Sequence, residues 1–210
     1  NLPSLNRLEI NWPKIIPANF SSMPVFPKLT ELVIDPSYCP AENFEWVLRF
    51  KQLSDFFAPG QAVTDAHLAV LAKCPKLTSL RCTFGTETDD GLAVLEGNRS
   101  LEELFIHSNT GVTGTGLAIL RSLPKLRLLN TGGGPFQASN LSLITQMKHV
   151  NVLFLAGATV AAEPDEVLAQ LSALKNQISE LEIGYANDVT ADQETAIKKA
   201  MPKTKVVFKR

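Results

Sequence analysis

The chain has 210 residues, 45% of them hydrophobic and 20% charged, with a formal net charge of −1. That length suits one sizeable domain or one repeat array. Lys and Arg are scattered rather than blocked, which argues against broad electrostatic capture of nucleic acid or of an anionic membrane. No apolar run approaches the roughly 18–20 residues that span a bilayer, and no signal peptide is visible. The chain begins with Asn1, inside what reads as a repeat, so a leader or upstream portion lost before this point is an open expectation. Cys39, Cys74 and Cys82 are too few, and odd in number, for a disulfide framework. They are expected to act as small buried hydrophobes.

Taken in order, the chain rewrites one pattern: apolar, two residues, apolar, one residue, apolar. It occurs at Leu5/Leu8/Ile10, Leu29/Leu32/Ile34, Leu53/Phe56/Ala58, Leu77/Leu80/Cys82, Leu101/Leu104/Ile106, Leu126/Leu129/Thr131, Val150/Leu153/Leu155 and Ile178/Leu181/Ile183. The leading positions are separated by 24, 24, 24, 24, 25, 24 and 28 residues. A Pro-Lys-Leu joint marks the register at Pro27-Lys28-Leu29, Pro75-Lys76-Leu77 and Pro124-Lys125-Leu126. Each unit opens with a half-buried strand, since Leu80 and Cys82 alternate with Ser79, Arg81 and Thr83.

The first unit carries Pro13, Pro17 and Pro24 and predicts turns rather than a full helix. In the second, after Pro36 and Pro40, the segment Ala41 to Phe50 carries a helical stripe of Phe44, Val47 and Leu48, with Trp46 nearby. From the third unit on, a helical segment begins about ten residues after the strand. Thr64, Thr88, Thr113 and Thr190 stand where an N-cap is needed, and Thr190 with Gln193 makes a capping-box pair. Helical spacing follows at Leu68/Leu71, Leu92/Leu95, Leu117/Leu120, Leu141/Ile144 and Leu168/Leu171. The Pro of the next joint stops each helix. Lys205 to Lys209 reads as a closing edge strand whose lysines discourage edge-to-edge pairing.

A unit of roughly 24 residues cannot bury its own apolar face, whereas stacked copies can. The expected fold is therefore α/β: a right-handed β/α solenoid of about eight repeats, with parallel strands on an inner face. Residues 1–210 read as one repeat domain, irregular over 1–50, regular over 51–201, and closed by 202–210.

The Leu-x-x-Leu-x-Leu cores, and the helix starts Val63-Thr64-Asp65 with Leu68 and Leu71, Val112-Thr113 with Leu117 and Leu120, and Val189-Thr190, carry a resemblance. With Gly91-Leu92 and Gly116-Leu117, the chain resembles a leucine-rich repeat horseshoe fragment. It is similar to the ribonuclease-inhibitor-like and cysteine-containing classes found in F-box substrate receptors and in large bacterial paralogous sets. The resemblance implies protein–protein recognition on the concave face, with partners that vary freely. The side-chain ladder common in the family is mostly missing here, only Asn109 fitting it, and no F-box precedes the repeats in this chain.

Stacking puts outward strand positions in columns. One column reads Glu9, Val33, Phe57, Arg81, Phe105, Asn130, Phe154, Glu182; the one before it reads Arg7, Glu31, Asp55, Ser79, Glu103, Leu128, Val152, Glu180. Phe57, Phe105 and Phe154 stand where polar residues are expected, and Val33, Leu128 and Val152 extend the patch. Apolar patches and aromatics favour partner binding; the plainer alternative is that the array's own loops cover them. Glu31, Asp55 and Glu103 form an acidic run that reads as a solvated face. Trp12 and Tyr185 fall near the rim at opposite ends, as contacts or as packing.

The catalytic audit is short. His67, His107 and His149 lie in different repeats, and no Cys or Ser stands convincingly beside His107, the one histidine expected on the concave face. Zinc-ligand spacing is absent. Gly132-Gly133-Gly134 lacks the Lys-Ser/Thr of a phosphate loop and reads as a tight turn. The expectation is a non-catalytic module without a cofactor or metal. It would bind an unidentified protein partner through Phe57, Arg81, Phe105, His107, Leu128, Asn130, Val152 and Phe154, with no nucleic acid and no membrane insertion. The alternative is a substrate-recognition arm of a larger enzyme complex such as a ubiquitin ligase.

Overall fold

In the computed structural model, residues 2–10, 22–35, 39–60, 63–83, 85–107, 111–112, 114, 116–132 and 137–210 are described, without the side chains of Thr83 and His107. Trp12, Pro13, Pro17, Pro36, Asn109, Thr113, Gly133 and Gly134 lie outside that set. Among the described residues, nine strands form one sheet in strict chain order. They are β1 Arg7–Ile10, β2 Glu31–Ile34, β3 Asp55–Ala58, β4 Ser79–Thr83, β5 Glu103–His107, β6 Leu128–Asn130, β7 Val152–Ala156, β8 Glu180–Gly184 and β9 Lys205–Phe208. Each pair of neighbours is parallel. This is the β/α solenoid that the repeat predicts.

The core Leu positions do what the period-two pattern asks of them. Leu29, Leu32, Leu53, Phe56, Leu77, Leu80, Leu101, Leu104, Leu126, Leu129, Leu153 and Leu181 are all buried in one continuous cluster that runs from Leu29 to Met201. Leu5, Leu8 and Ile10, with no repeat before them among the described residues, are only partly buried against it. Cys39, Cys74 and Cys82 are buried and unbridged.

The second half of each unit is more varied than the sequence suggests. The stripe at Phe44 and Val47 forms, but as a 3₁₀ helix over Ala41–Arg49, with Trp46 buried as well. Gly91–Leu95 is also 3₁₀, while Leu117–Leu120 and Leu141–Ile144 are single α turns. A span of 24 residues that already holds a strand and two turns leaves little chain for a long helix. Where the spacing rises to 28, the extra length becomes two helices, Gly157–Ala162 and Pro164–Leu174. Ala191–Ala200 starts at the expected box: the Gln193 amide donates to Thr190 Oγ1 (3.2 Å) and the Thr190 amide to Gln193 Oε1 (2.8 Å).

Side chains tie each repeat to the next. The hydroxyls of Thr30, Ser54, Thr78 and Ser179 donate to the carbonyls of Asn6 (3.1 Å), Thr30 (3.2 Å), Ser54 (3.1 Å) and Asn151 (3.0 Å). Asp65 accepts from the amide and the hydroxyl of Thr88, both at 2.8 Å. A Cβ on Gly91 would lie 1.8 Å from an Asp65 oxygen, so a larger residue there would push Asp65 from its place beside Thr88. Gln177 donates to three carbonyls in the preceding unit, Ile144 (3.0 Å), Met147 (2.9 Å) and Val150 (3.1 Å), the first two of which also accept a backbone amide.

Two outcomes follow for stability. Leu104→Ala, deep in the stack, is expected to cost about 2–5 kcal/mol, and Leu8→Ala, at the half-covered end, about 1 kcal/mol, both read from urea unfolding. Cys74 has its thiol pKa raised from the ordinary 9.0 to about 11 by burial. A raised pKa means that the folded state holds its proton longer than the unfolded state. Its contribution is therefore complete below pH 9 and is lost as pH rises toward 11. Denaturation midpoints should fall across that window, and less so in Cys74→Ala.

Candidate functional site

With the helices packed on one side, the alternate strand residues project from the other, and the ladder register lines them up. Val33, Phe57, Arg81, Phe105, Asn130, Phe154, Glu182 and Val207 form one row across β2 to β9. Arg7, Glu31, Asp55, Ser79, Glu103, Leu128, Val152, Glu180 and Lys205 form the row beside it. His107 pairs with Thr83 at the end of β5.

The candidate residues do not all sit alike. Phe57, Arg81, Phe105, Asn130, Val152 and Phe154 are half-buried. Val33 is 3% exposed and Leu128 9%, so neither extends an open apolar patch as the alternation suggests. Leu128 is flanked in register by Glu103 and Val152, and strands about 4.8 Å apart leave a shallow side chain between longer ones little room for water. The Phe105 and Phe154 rings, two strands apart, lean toward each other across Asn130 to a centroid distance of 6.2 Å, within the range of favourable aromatic pairing. Asn130 offers little obstruction, because its Oδ1 turns aside to accept from the Gly132 amide at 2.9 Å. Arg81 lies over the Phe57 ring with its guanidinium carbon 5.4 Å from the centroid.

The acidic column is not a free field. Glu31 pairs with Arg7. Glu103 pairs with Arg127 and accepts from the Ser79 hydroxyl (3.3 Å). Asp55 accepts from the Ser54 hydroxyl (2.6 Å). Glu180 and Glu182 are met by Lys205 (2.8 Å) and Lys209 (2.7 Å). The lysines expected to guard the edge therefore turn inward onto the previous strand. Arg127 and the added row member Val207 escape a reading of the sequence: Arg127 stands just ahead of its strand, and Val207 belongs to a strand without the Leu-x-x-Leu-x-Leu core.

His67 is buried; its Nε2 donates to the Cys39 carbonyl (3.0 Å), so its Nδ1 accepts from the Thr64 amide (3.3 Å) and hydroxyl (2.9 Å). It is a staple between units. His149 is exposed. Burial raises the Cys82 thiol, with the charge of Glu87 and a hydrogen bond to it adding to the effect. Among the described residues, no group of three or more His, Cys, Asp or Glu is placed to hold a metal ion, and no helix is long and apolar enough to cross a membrane. A cavity of about 260 Å³ is lined by residues of the helical side, Val160, Pro164, Leu168 and Ile197 among them, rather than by the strand rows. Tyr185, 60% exposed, takes the left-handed conformation at φ 54° just past β8.

No family model and no curated protein matches the chain. Among solved structures it is similar to an internalin (inlF) from Listeria monocytogenes, with 16% identity and a TM-score of 0.47 over 86% of this chain and 54% of that one. The chain thus spans about half the internalin's length. It is also similar to the leucine-rich repeat-containing protein LegL7 from Legionella pneumophila, with 13% identity and a TM-score of 0.46 over 96% of this chain and 81% of that one.

Arg81 contributes one ring contact and no ion pair among the described residues. Arg81→Gln is therefore expected to change unfolding stability by about 1 kcal/mol or less in chemical denaturation.

Proposed function

We propose that the chain is a non-catalytic protein-interaction module that uses the face opposite its helices, with residues 1–210 acting as one recognition domain. The observation that carries this reading is the row Phe57–Arg81–Phe105–Asn130–Phe154, in which three phenylalanines occupy outward positions of a regular repeat and stay half-buried. Outward strand positions contribute little to the solenoid core, so large aromatic rings there cost solubility without a return in folding. Rigid aromatics beside an arginine make the kind of surface on which a few residues supply most of the binding energy. The second row supplies paired charges and a polar margin around that centre. Helical segments from Asp65–Leu71 to Ala191–Ala200 support a place among the helix-bearing, ribonuclease-inhibitor-like classes.

The test compares wild type with a Phe105→Asp/Phe154→Asp variant in partner capture from cells, after circular dichroism has shown the variant folded. Loss of the captured partner is expected, with an affinity decrease of about tenfold or more once that partner is purified. A folded variant that retains every partner would overturn the reading.

A further inference from the structure

We infer that Arg81 is a receptor for a carboxylate, and that the partner segment carries an Asp or Glu two to four residues from an apolar side chain. This inference rests on the interaction reading above and adds the chemistry of the ligand. It starts from how charge is distributed on the strand rows. Arg7 is held by Glu9 and Glu31, Arg127 by Glu102 and Glu103, Lys205 by Glu180 and Lys209 by Glu182. Arg81 stands among them without an ion pair to any described residue. Two carboxylates lie diagonally across from it, Asp55 on β3 and Glu103 on β5. Asp55 is taken up by Ser54, and Glu103 by Arg127 and Ser79.

The guanidinium has instead been drawn onto the Phe57 ring, and its Nε is enclosed with no hydrogen-bond partner. An arginine offers donors only, in a planar fork that fits a carboxylate with two parallel bonds. A donor enclosed without an acceptor is costly in the free protein, and turning the guanidinium off the Phe57 ring onto a partner carboxylate would relieve that cost. Aromatic neighbours strengthen the pairing by keeping water away: Phe57 lies on one side in register and Phe105 on the other. Glu31 and Glu103 are neutralised by Arg7 and Arg127, which leaves Asp55, hydrogen-bonded to Ser54, as the nearby acid whose charge no ion pair among the described residues offsets.

The Phe105–Phe154 pair is centred on β6, two strands from Arg81. At about 4.8 Å per strand and about 3.3 Å per residue of extended peptide, that separation is about three residues of a segment crossing the sheet. The acid and its apolar companion therefore fall two to four positions apart.

A random-peptide library displayed on phage and selected on the purified wild-type chain tests the inference. Selected peptides should share an Asp or Glu at that spacing from Phe, Leu or Ile. Arg81→Gln should weaken them about tenfold or more in fluorescence anisotropy, as should Glu→Gln in the peptide. The two losses should not add, because each removes the same bond. Selection without acidic enrichment overturns the inference, as does additivity of the two losses. Peptides that lose binding to Phe105→Asp/Phe154→Asp but bind Arg81→Gln unchanged overturn the carboxylate receptor and leave the interaction reading standing. Peptides indifferent to both variants overturn both.

Discussion

The carbonyl that precedes each of the strands β1 to β7 accepts two consecutive amides from the following repeat, and the rest of the molecule depends on that shared acceptor. Asn6 accepts from Thr30 and Glu31, Thr30 from Ser54 and Asp55, Ser54 from Thr78 and Ser79, and Thr78 from Glu102 and Glu103. The pattern continues through Glu102, Arg127 and Asn151. Because side-chain direction alternates every residue along a strand, a slip of one position would turn each buried Leu outward. The repeated acceptor and the buried Leu positions therefore specify the same register, and the hydroxyls of Thr30, Ser54, Thr78 and Ser179 reinforce it.

That register survives two departures from the period. The repeat one residue longer than the others still pairs Glu103 with Leu128 and Phe105 with Asn130. The longest unit absorbs its extra residues in two helices on the other side, and Ser179 and Glu180 still donate to the Asn151 carbonyl. Insertions go into the helical half because it is joined to its neighbours by separable contacts such as Asp65–Thr88 and Gln177. The strand half is one continuous hydrogen-bonded sheet. The surface that the strands present is thus kept in line across the whole array.

The open face shows how a regular scaffold frees particular positions for recognition. A core Leu cannot change without loss of packing, whereas its outward neighbours lie outside the continuous core and meet mainly one another across the strands. On this chain those neighbours sort into one row where most charges are paired, interrupted by Ser79, Leu128 and Val152, and a second row with Phe57, Arg81, Phe105 and Phe154 near its middle. Arg81 faces an aromatic ring rather than an acid, while the nearby Asp55 is held by Ser54 and Glu103 by Ser79 and Arg127.

Much of this was legible in the residues alone. The spacing of Leu5, Leu29, Leu53, Leu77 and their successors specifies parallel strands in chain order, and the alternation around Leu80 assigns the two faces. Such information is written once per repeat, so it is strong. Thr190 with Gln193 announces its box because capping is local. Other features depend on which atoms meet across repeats, and no local pattern records that. The sequence marks Leu128 and Val33 as outward, but only packing buries them. His67 is an ambiguous histidine until the Cys39 carbonyl is found beside it. The 3₁₀ geometry at Phe44 and Leu92 is not announced by their apolar spacing, which fits an α-helix equally well. Sequence alone therefore determined the period, the strand order and the identity of the outward rows. Tertiary structure alone decided which outward side chains are covered, which charges are spent on each other, and that Arg81 is left over a ring with a donor unmet, because these are outcomes of competition among neighbours brought together from different repeats.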